Sequence, residues 1–304
     1  MMPELPDIVA YIEALKPLIQ DQPIEDIRIL KPFLVRSFEP PIAKAVGKRV
    51  LGFRRLGKRI VWELDRDLFL VFHLMIAGRF QWKEHSKPAG KSGLAHFHFP
   101  TGTMILIEAG SKKRASLYLV QGKTGLAPHQ PGGIEVLEST LDEFRATLLK
   151  GNHTLKRILT DPKLFSGIGN AFSDEIFHDA RLSPIKLSQK LSDPEIERLY
   201  TSSREVLRSW SDRLTERYRS KFPAPGEVTA FRPEFNVHGR FEAPCRVCAT
   251  PVQRIRYADN ETNYCPTCQT DGKLLADRAL SRLLKKDWPR SLEEFSEKYG
   301  IEIP

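Results

Sequence analysis

The sequence predicts an α+β protein, with an N-terminal antiparallel β-sandwich and flanking helices, then a helical domain, then a small cysteine-bearing C-terminal segment. Three observations predict it. Strand-like segments without intervening helices fill residues 24 to 122, helical periodicity takes over beyond about 139, and all four cysteines fall between 245 and 268. A chain of 304 residues that is 41% apolar can bury a core in more than one domain.

The first element follows Pro6, where DIVAYIEAL places Ile8, Ile12 and Leu15 on one helical face and Asp7 in the first turn, at the positive end of the helix dipole. Pro17 should end or kink this helix because it has no N–H to donate. Strand patterns follow in VLGFRRLGKRIVWEL, DLFLVFHLMI, GLAHFHF, TMILIEA and RASLYLV, separated by turn chemistry such as FPTGT, and they complete a first domain over 2–123. Residues 124–138, TGLAPHQPGGIEVLE, are rich in Pro and Gly and read as a linker. Helical spacing then runs through LDEFRATLLKG, TLKRILTD, NAFSDEIFHDARL and DPEIERLYTSSREVLRSWSDRL over 139–227, with the short connections of a compact bundle. The cysteine segment occupies 228–272, and 273–304 read as a helical extension. In it Ser291 and Glu294 form a capping-box pattern after Pro289, with Leu292, Phe295 and Tyr299 on one face before Gly300. The basic LSRLLKK stretch of this extension either packs its leucines or widens a basic surface, and packing accounts better for the leucines.

Charge narrows the partner. Lys and Arg outnumber Asp and Glu by 47 to 38, a net +9 with a pI near 9.4, which suits a polyanion such as nucleic acid without selecting it. The longest apolar run, LFLVFHLMIAG at 68–78, is too short to cross a bilayer and is interrupted by His73, and no secretory leader pattern precedes it. A cytoplasmic protein with no membrane partner is expected. The cysteines are spaced Cys245-x2-Cys248, sixteen residues, Cys265-x2-Cys268, which matches four thiolates closing on one Zn²⁺. Disulfides or a redox dithiol are the alternative, disfavoured in a cytosolic setting. Four sulfur ligands leave the metal no open position, so one zinc per chain should fold the segment and do no chemistry.

Two short motifs carry candidate chemistry. In MMPELPD, Pro3 would become a nucleophilic secondary amine if the residues before it were removed, although PELP also reads simply as a helix start. In GIGNAFSDE, Gly167, Gly169 and Asn170 sit at a helix start where backbone N–H groups could meet a phosphate; a tight turn with an Asn cap explains the same residues.

Taken together, MPELP at 2–6, LKR at 155–157 with GIGN-x3-DE at 167–175, V-x-GR-x3-PC at 237–245 and the four cysteines resemble, in order, the formamidopyrimidine-DNA glycosylase and endonuclease VIII family. The resemblance spans residues 2 to about 270. It implies that the helical region is a helix-two-turn-helix domain and the cysteine segment a zinc finger. It also implies that the protein repairs oxidised bases in double-stranded DNA as a monomer associated with the nucleoid. Pro3 would attack C1′ of the damaged nucleotide, displace the base and form a Schiff base whose acidified C–H permits β- and δ-elimination. That chemistry needs Pro3 exposed, so Met2 is the expected start, because a methionine at position 2 would block trimming of Met1. Glu4 would be the general acid and base, and Lys58 would reach the flanking phosphate and favour the neutral amine, unless it is an edge-strand lysine facing water. Asn170 would bind a phosphate.

A flipped base leaves a hole, which the family fills with a methionine and an Arg-Phe pair. Here HLMIAG puts Ile76 in the methionine's place beside Met75, and SKKRASLYL puts Lys113 and Arg114 where Arg-Phe is expected. The arginine that grips the phosphate next to the flipped base is replaced by Asn260, which carries no charge, and Arg256, with Arg254, is the candidate to supply one. MPELP points to the formamidopyrimidine branch, while the missing Arg-Phe and the short, Pro-rich YRSKFPAPGEVTAF stretch leave open 8-oxoguanine, oxidised pyrimidines or abasic sites. Two rival readings are a lesion binder that has lost or narrowed catalysis on this scaffold, and a zinc-ribbon adaptor, which leaves MPELP without a use.

Overall fold

A computed structural model describes residues 2–84, 93–109, 112–228, 231–257 and 260–275, with positions 289, 291, 294 and 297. The chain divides into two compact units, Met1–Gly132 with Arg208–Thr229, and Gly133–Leu207 with Ala230–Pro304. No helix among the described residues is long and apolar enough to cross a membrane.

The first unit opens with α1 (Leu5–Ile19), which buries Leu5, Ile8, Tyr11, Ile12, Leu15 and Ile19. The helix runs through Pro17 instead of ending there. The missing N–H costs one bond, to the Glu13 carbonyl, and the helix continues for two residues to Ile19, which is fully buried. Eight strands follow: β1 (Asp26–Ile29), β2 (Val50–Leu56), β3 (Arg59–Leu64), β4 (Leu68–His73), β5 (Gly78–Lys83), β6 (Ala95–Phe99), β7 (Gly102–Glu108) and β8 (Ser116–Gln121). They make two four-stranded antiparallel sheets, ordered β1-β6-β7-β5 and β2-β3-β4-β8. The inner faces enclose an aromatic core in which the Trp62 ring lies 4.7 Å from Phe72, 5.4 Å from Phe97 and 5.7 Å from Phe99. Each such side chain contributes about 1.5–3 kcal/mol by burial. The outer face of the second sheet is apolar at Val61, Phe69 and Val71, which pack with Leu126 of α2 (Gly122–Leu126). This explains DLFLVFHLMI as a continuous apolar run without alternation, since β4 is covered on both faces. Phe222 packs on the same core and against Tyr11, and Val228 is buried with it, which ties 208–229 to this unit.

The second unit contains α3 (Leu141–Leu148), α4 (Leu155–Thr160), α5 (Asn170–Asp179) and most of α6 (Asp193–Arg217), then the hairpin β9 (Gln253–Tyr257) and β10 (Asn260–Tyr264), and α7 (Pro266–Thr270). Thr140 and Glu143 close a capping box on α3. Phe144 joins the helices through ring contacts at 5.0 Å to Phe165 and 5.4 Å to Tyr200. Helix α5 is buried from Ala171 to His178, so it carries its charged residues inside the unit. In the C-terminal extension the Glu294 N–H donates to Ser291 Oγ at 3.2 Å, one half of the expected capping box. Leu292, Phe295, Tyr299 and the LSRLLKK stretch lie outside the described residues.

Candidate functional site

The start of α1 is closed to water. Pro3 is buried, Glu4 is 1% exposed and Asp7 6%. Glu4 is the N-cap residue and forms a capping box with Asp7, whose Oδ2 accepts the Glu4 N–H at 2.9 Å. A local capping rule thus shapes the backbone on which Pro3 and Glu4 sit, and the burial around them comes from the packed core. Helix α1 packs along β2 and β3. Those strands are joined by the two-residue turn Gly57-Lys58, where Gly57 has φ 61° and its carbonyl accepts Arg55 Nη1 at 2.8 Å. Lys58 is half-buried at this turn.

Sequence reasoning passed over His73. It ends β4, pairs with Arg59 across the sheet, and its pKa is pushed down to about 4 by burial and by the Arg59 and Lys58 charges. The imidazole is thus a neutral hydrogen-bonding group beside Lys58. Because the folded pKa lies below the ordinary value, the unfolded chain takes up a proton between about pH 6.5 and 4 that the native protein refuses. Stability contributed by this site is present above that window and declines as pH falls through it. An NMR titration should find the His73 ring uncharged down to about pH 4.

Ile76 stands on the turn between β4 and β5, 49% exposed, after Met75 in the left-handed region at φ 53°. Gly78 closes this turn, its N–H donating to Leu74 O at 2.8 Å, and a Cβ at Gly78 would sit 2.2 Å from that oxygen. Arg79 holds the turn from below. Its Nη1 donates to Ile76 O at 3.2 Å and Gly78 O at 2.6 Å, while Nε donates to Val228 O at 2.6 Å. Gly78→Ala should cost roughly 1–3 kcal/mol by overpacking, read as a lower denaturant midpoint. Across the sheet edge, Lys113 and Arg114 are exposed. Glu108 positions them: its carboxylate accepts the Arg114 N–H at 2.9 Å, and its carbonyl accepts the Lys113 ammonium.

In the second unit Gly167 has φ 81°, and Gly169, not Asn170, is the N-cap of α5. Asn170 is the first helical residue, and its Nδ2 donates to Glu261 O on the β9–β10 hairpin at 2.8 Å. The acidic pair after it, read in sequence only as part of a motif, has a structural task. Asp174 Oδ1 accepts Lys156 Nζ at 2.5 Å, and its Oδ2 takes His238 Nδ1 at 2.7 Å and the Asn263 N–H at 3.0 Å. Glu175 accepts the N–H groups of Asn236, Val237 and His238 at 2.7–2.9 Å. Burial pushes the Glu175 carboxyl up while these three donors pull it down. Helix α5 and the hairpin are bolted together through buried, satisfied acids.

On the hairpin Asn260 is exposed and pairs with Tyr257, whereas Arg256 pairs with Glu261 and Arg254 with Asn263. Strand alternation puts the two arginines on the ribbon face opposite to Asn260. Arg254 is also engaged, lying 4.0 Å over the Phe241 ring and 3.6 Å from Glu261. Arg256 is exposed.

The four cysteine sulfurs lie within 4.8 Å of one another. Neighbouring pairs are 3.4, 3.5 and 4.0 Å apart, close to the roughly 3.8 Å edge of a tetrahedron with 2.3 Å Zn–S bonds. Cys245, Cys248, Cys265 and Cys268 therefore fit one structural zinc. His178 Nε2 approaches Cys245 Sγ at 3.3 Å as an outer-shell partner.

Comparison with known proteins decides the family. The chain is 31% identical to the formamidopyrimidine-DNA glycosylase of Thermus thermophilus over 284 residues, covering 89% of this chain and all of that enzyme. It belongs to the formamidopyrimidine-DNA glycosylase family. Residues 2–112 match the formamidopyrimidine-DNA glycosylase N-terminal domain, 133–212 its H2TH domain, and 243–270 the zinc finger found in FPG and IleRS. The glycosylase of Geobacillus kaustophilus is 30% identical over 88% of this chain and 100% of that enzyme. Among solved structures, the Lactococcus lactis Fpg in complex with abasic-site DNA superposes with a TM-score of 0.77 at 27% identity, covering 88% of this chain and 99% of that one. MutM in complex with DNA containing carbocyclic 8-oxo-G gives 0.75 at 26% identity, covering 88% of this chain and 100% of that one. This member of the glycosylase family thus has the α+β architecture, the helix-two-turn-helix region and the zinc finger expected of it.

Proposed function

We propose that the protein excises oxidised bases from duplex DNA and then nicks the strand at the resulting abasic site. The observation that carries this reading is the buried Pro3-Glu4 pair at the capped start of α1, on the sheet whose hairpin turn bears Lys58. Once the residues before it are removed, the Pro3 nitrogen is a secondary amine that adds to C1′ as the base departs and becomes an iminium. Glu4 exchanges a proton with the sugar oxygen in a water-poor site. Elimination of the two flanking phosphates follows from the acidified C–H. Lys58 and the neutral His73 hold a phosphate beside the lesion, and Asn170 with the Gly167–Gly169 turn holds another. Ile76 fills the hole left by the flipped base, with Lys113 and Arg114 at the opposite base. Residues 2–123 would carry the chemistry, 139–227 and 228–272 would grip the strand, and the protein would act as a monomer on chromosomal DNA.

One observation favours a second reading, a lesion binder with reduced turnover. Asn260 offers no charge, and Arg254 and Arg256 face away from it across the ribbon. Duplexes carrying 8-oxoguanine, an oxidised pyrimidine or an abasic site separate the two. Released base and a one-nucleotide gap with phosphate ends are expected from at least one of them; tight binding without base release or cleavage on all three would leave only the binder.

A further inference from the structure

The outer face of the β2-β3-β4-β8 sheet carries a cation whose presence the fold itself does not explain. Arg59 opens β3, with His73 opposite it on β4 and Ser116 opposite His73 on β8. Tyr118 lies two residues along β8 on the same face, and the His129 ring sits 4.5 Å from the Tyr118 ring. The Arg59 Nε is shut away from water and has no hydrogen-bond partner, and no described residue forms an ion pair with the guanidinium. The carboxylate on this face of β3, Glu63, is four residues along the strand and is taken by Arg54. Burial lowers the Arg59 pKa, and burial followed by the Arg59 charge lowers those of His73 and His129. Among the described residues no carboxylate pairs with the Arg59 guanidinium. A half-buried guanidinium without a counter-charge is costly to keep and is chemically suited to fork onto a phosphate.

We infer that Arg59, with the Tyr118 hydroxyl and the His129 ring, forms an anion site that holds a DNA backbone phosphate beyond the one proposed for Lys58. The inference rests on the reading of duplex DNA as the partner. The His129 ring adds a donor without repelling the guanidinium, and Lys58 at the neighbouring position makes the strand's path continuous past this end of the sheet.

The test is the salt dependence of Kd for an abasic-analogue duplex, measured for the wild-type protein, Arg59→Gln and Arg59→Lys. Removing one phosphate contact should reduce the slope of log Kd against log salt by about 0.9 in Arg59→Gln, with Arg59→Lys close to wild type. An unchanged slope in Arg59→Gln overturns the site while leaving the proposed function standing. A second measurement needs no variant and no DNA: titrating the wild-type protein with inorganic phosphate should move the His129 ring resonances. If the wild-type protein bound no duplex, the proposed function would fail and this titration would judge the anion site alone. Absence of any shift at His129 up to high phosphate overturns it.

Discussion

Changing Glu4 to glutamine should lower the rate of base release by about 10²- to 10⁴-fold while leaving affinity for an abasic-analogue duplex near that of the wild type. Glutamine keeps the size of the side chain and an oxygen for the capping interaction with Asp7, so α1 should form as before. What it cannot do is exchange a proton. Glu4 is 1% exposed, so water has little access to replace it. Single-turnover measurement of base release separates the two steps, and a wild-type rate in the folded variant would remove Glu4 from the chemistry.

Loss of one zinc ligand should be the other large effect. Cys265 is completely buried among Val237, Val252 and Cys245, and the remaining three sulfurs cannot complete a tetrahedron. Zinc contributes about 10–16 kcal/mol of apparent binding free energy to small finger peptides, so the knuckles have no comparable substitute. The β9–β10 hairpin would still be tethered to α5 through Asn263 and Asp174, but the segment between the knuckles would lose its fixed ends. Cys265→Ala is expected to lose bound zinc and DNA affinity together, and a strong chelator should reproduce both in the wild-type protein. Metal analysis and a binding titration decide it, and full affinity without zinc would show that the finger takes no part in gripping DNA.

Much of this was legible because local chemistry dictated it. Period-3.6 spacing marked α3 to α6, and the strand patterns covered β2 to β4 and β6 to β8 but not β1 or β5. The cysteine spacing alone pointed to the cluster that the sulfurs form. Pro17 does not end the helix because it removes a single hydrogen bond, while Ile19 beyond it is held by burial. The stretch 124–138, read as a linker, opens inside α2, whose Leu126 covers the outer face of β3 and β4. The unbroken apolar run of β4 shows that both of its faces are covered, but not that α2 supplies the cover.

The site divides in the same way. MPELP and GIGN are contiguous and could be seen, but the environment of each depends on residues far along the chain. Asp174 and Glu175 satisfy groups at 156, 236–238 and 263, and only the fold brings these together. Asn170 looked like a helix cap, yet Gly169 takes that position and frees the amide to reach Glu261. His73 and Arg59 lie on successive strands and meet only through their register, and Arg79 reaches Val228 across 149 residues. Contacts of that span leave no trace in composition or periodicity.

The proposed function depends on covalent attachment of the Pro3 amine to the sugar. The direct measurement is borohydride trapping on an abasic-site duplex, using protein whose amino terminus is Pro3, followed by peptide mass mapping of the adduct. One reduced adduct is expected, on the amino-terminal peptide and at the Pro3 nitrogen, with none when the terminus is blocked. An adduct mapped to a lysine, or active protein that still carries Met2, would contradict it.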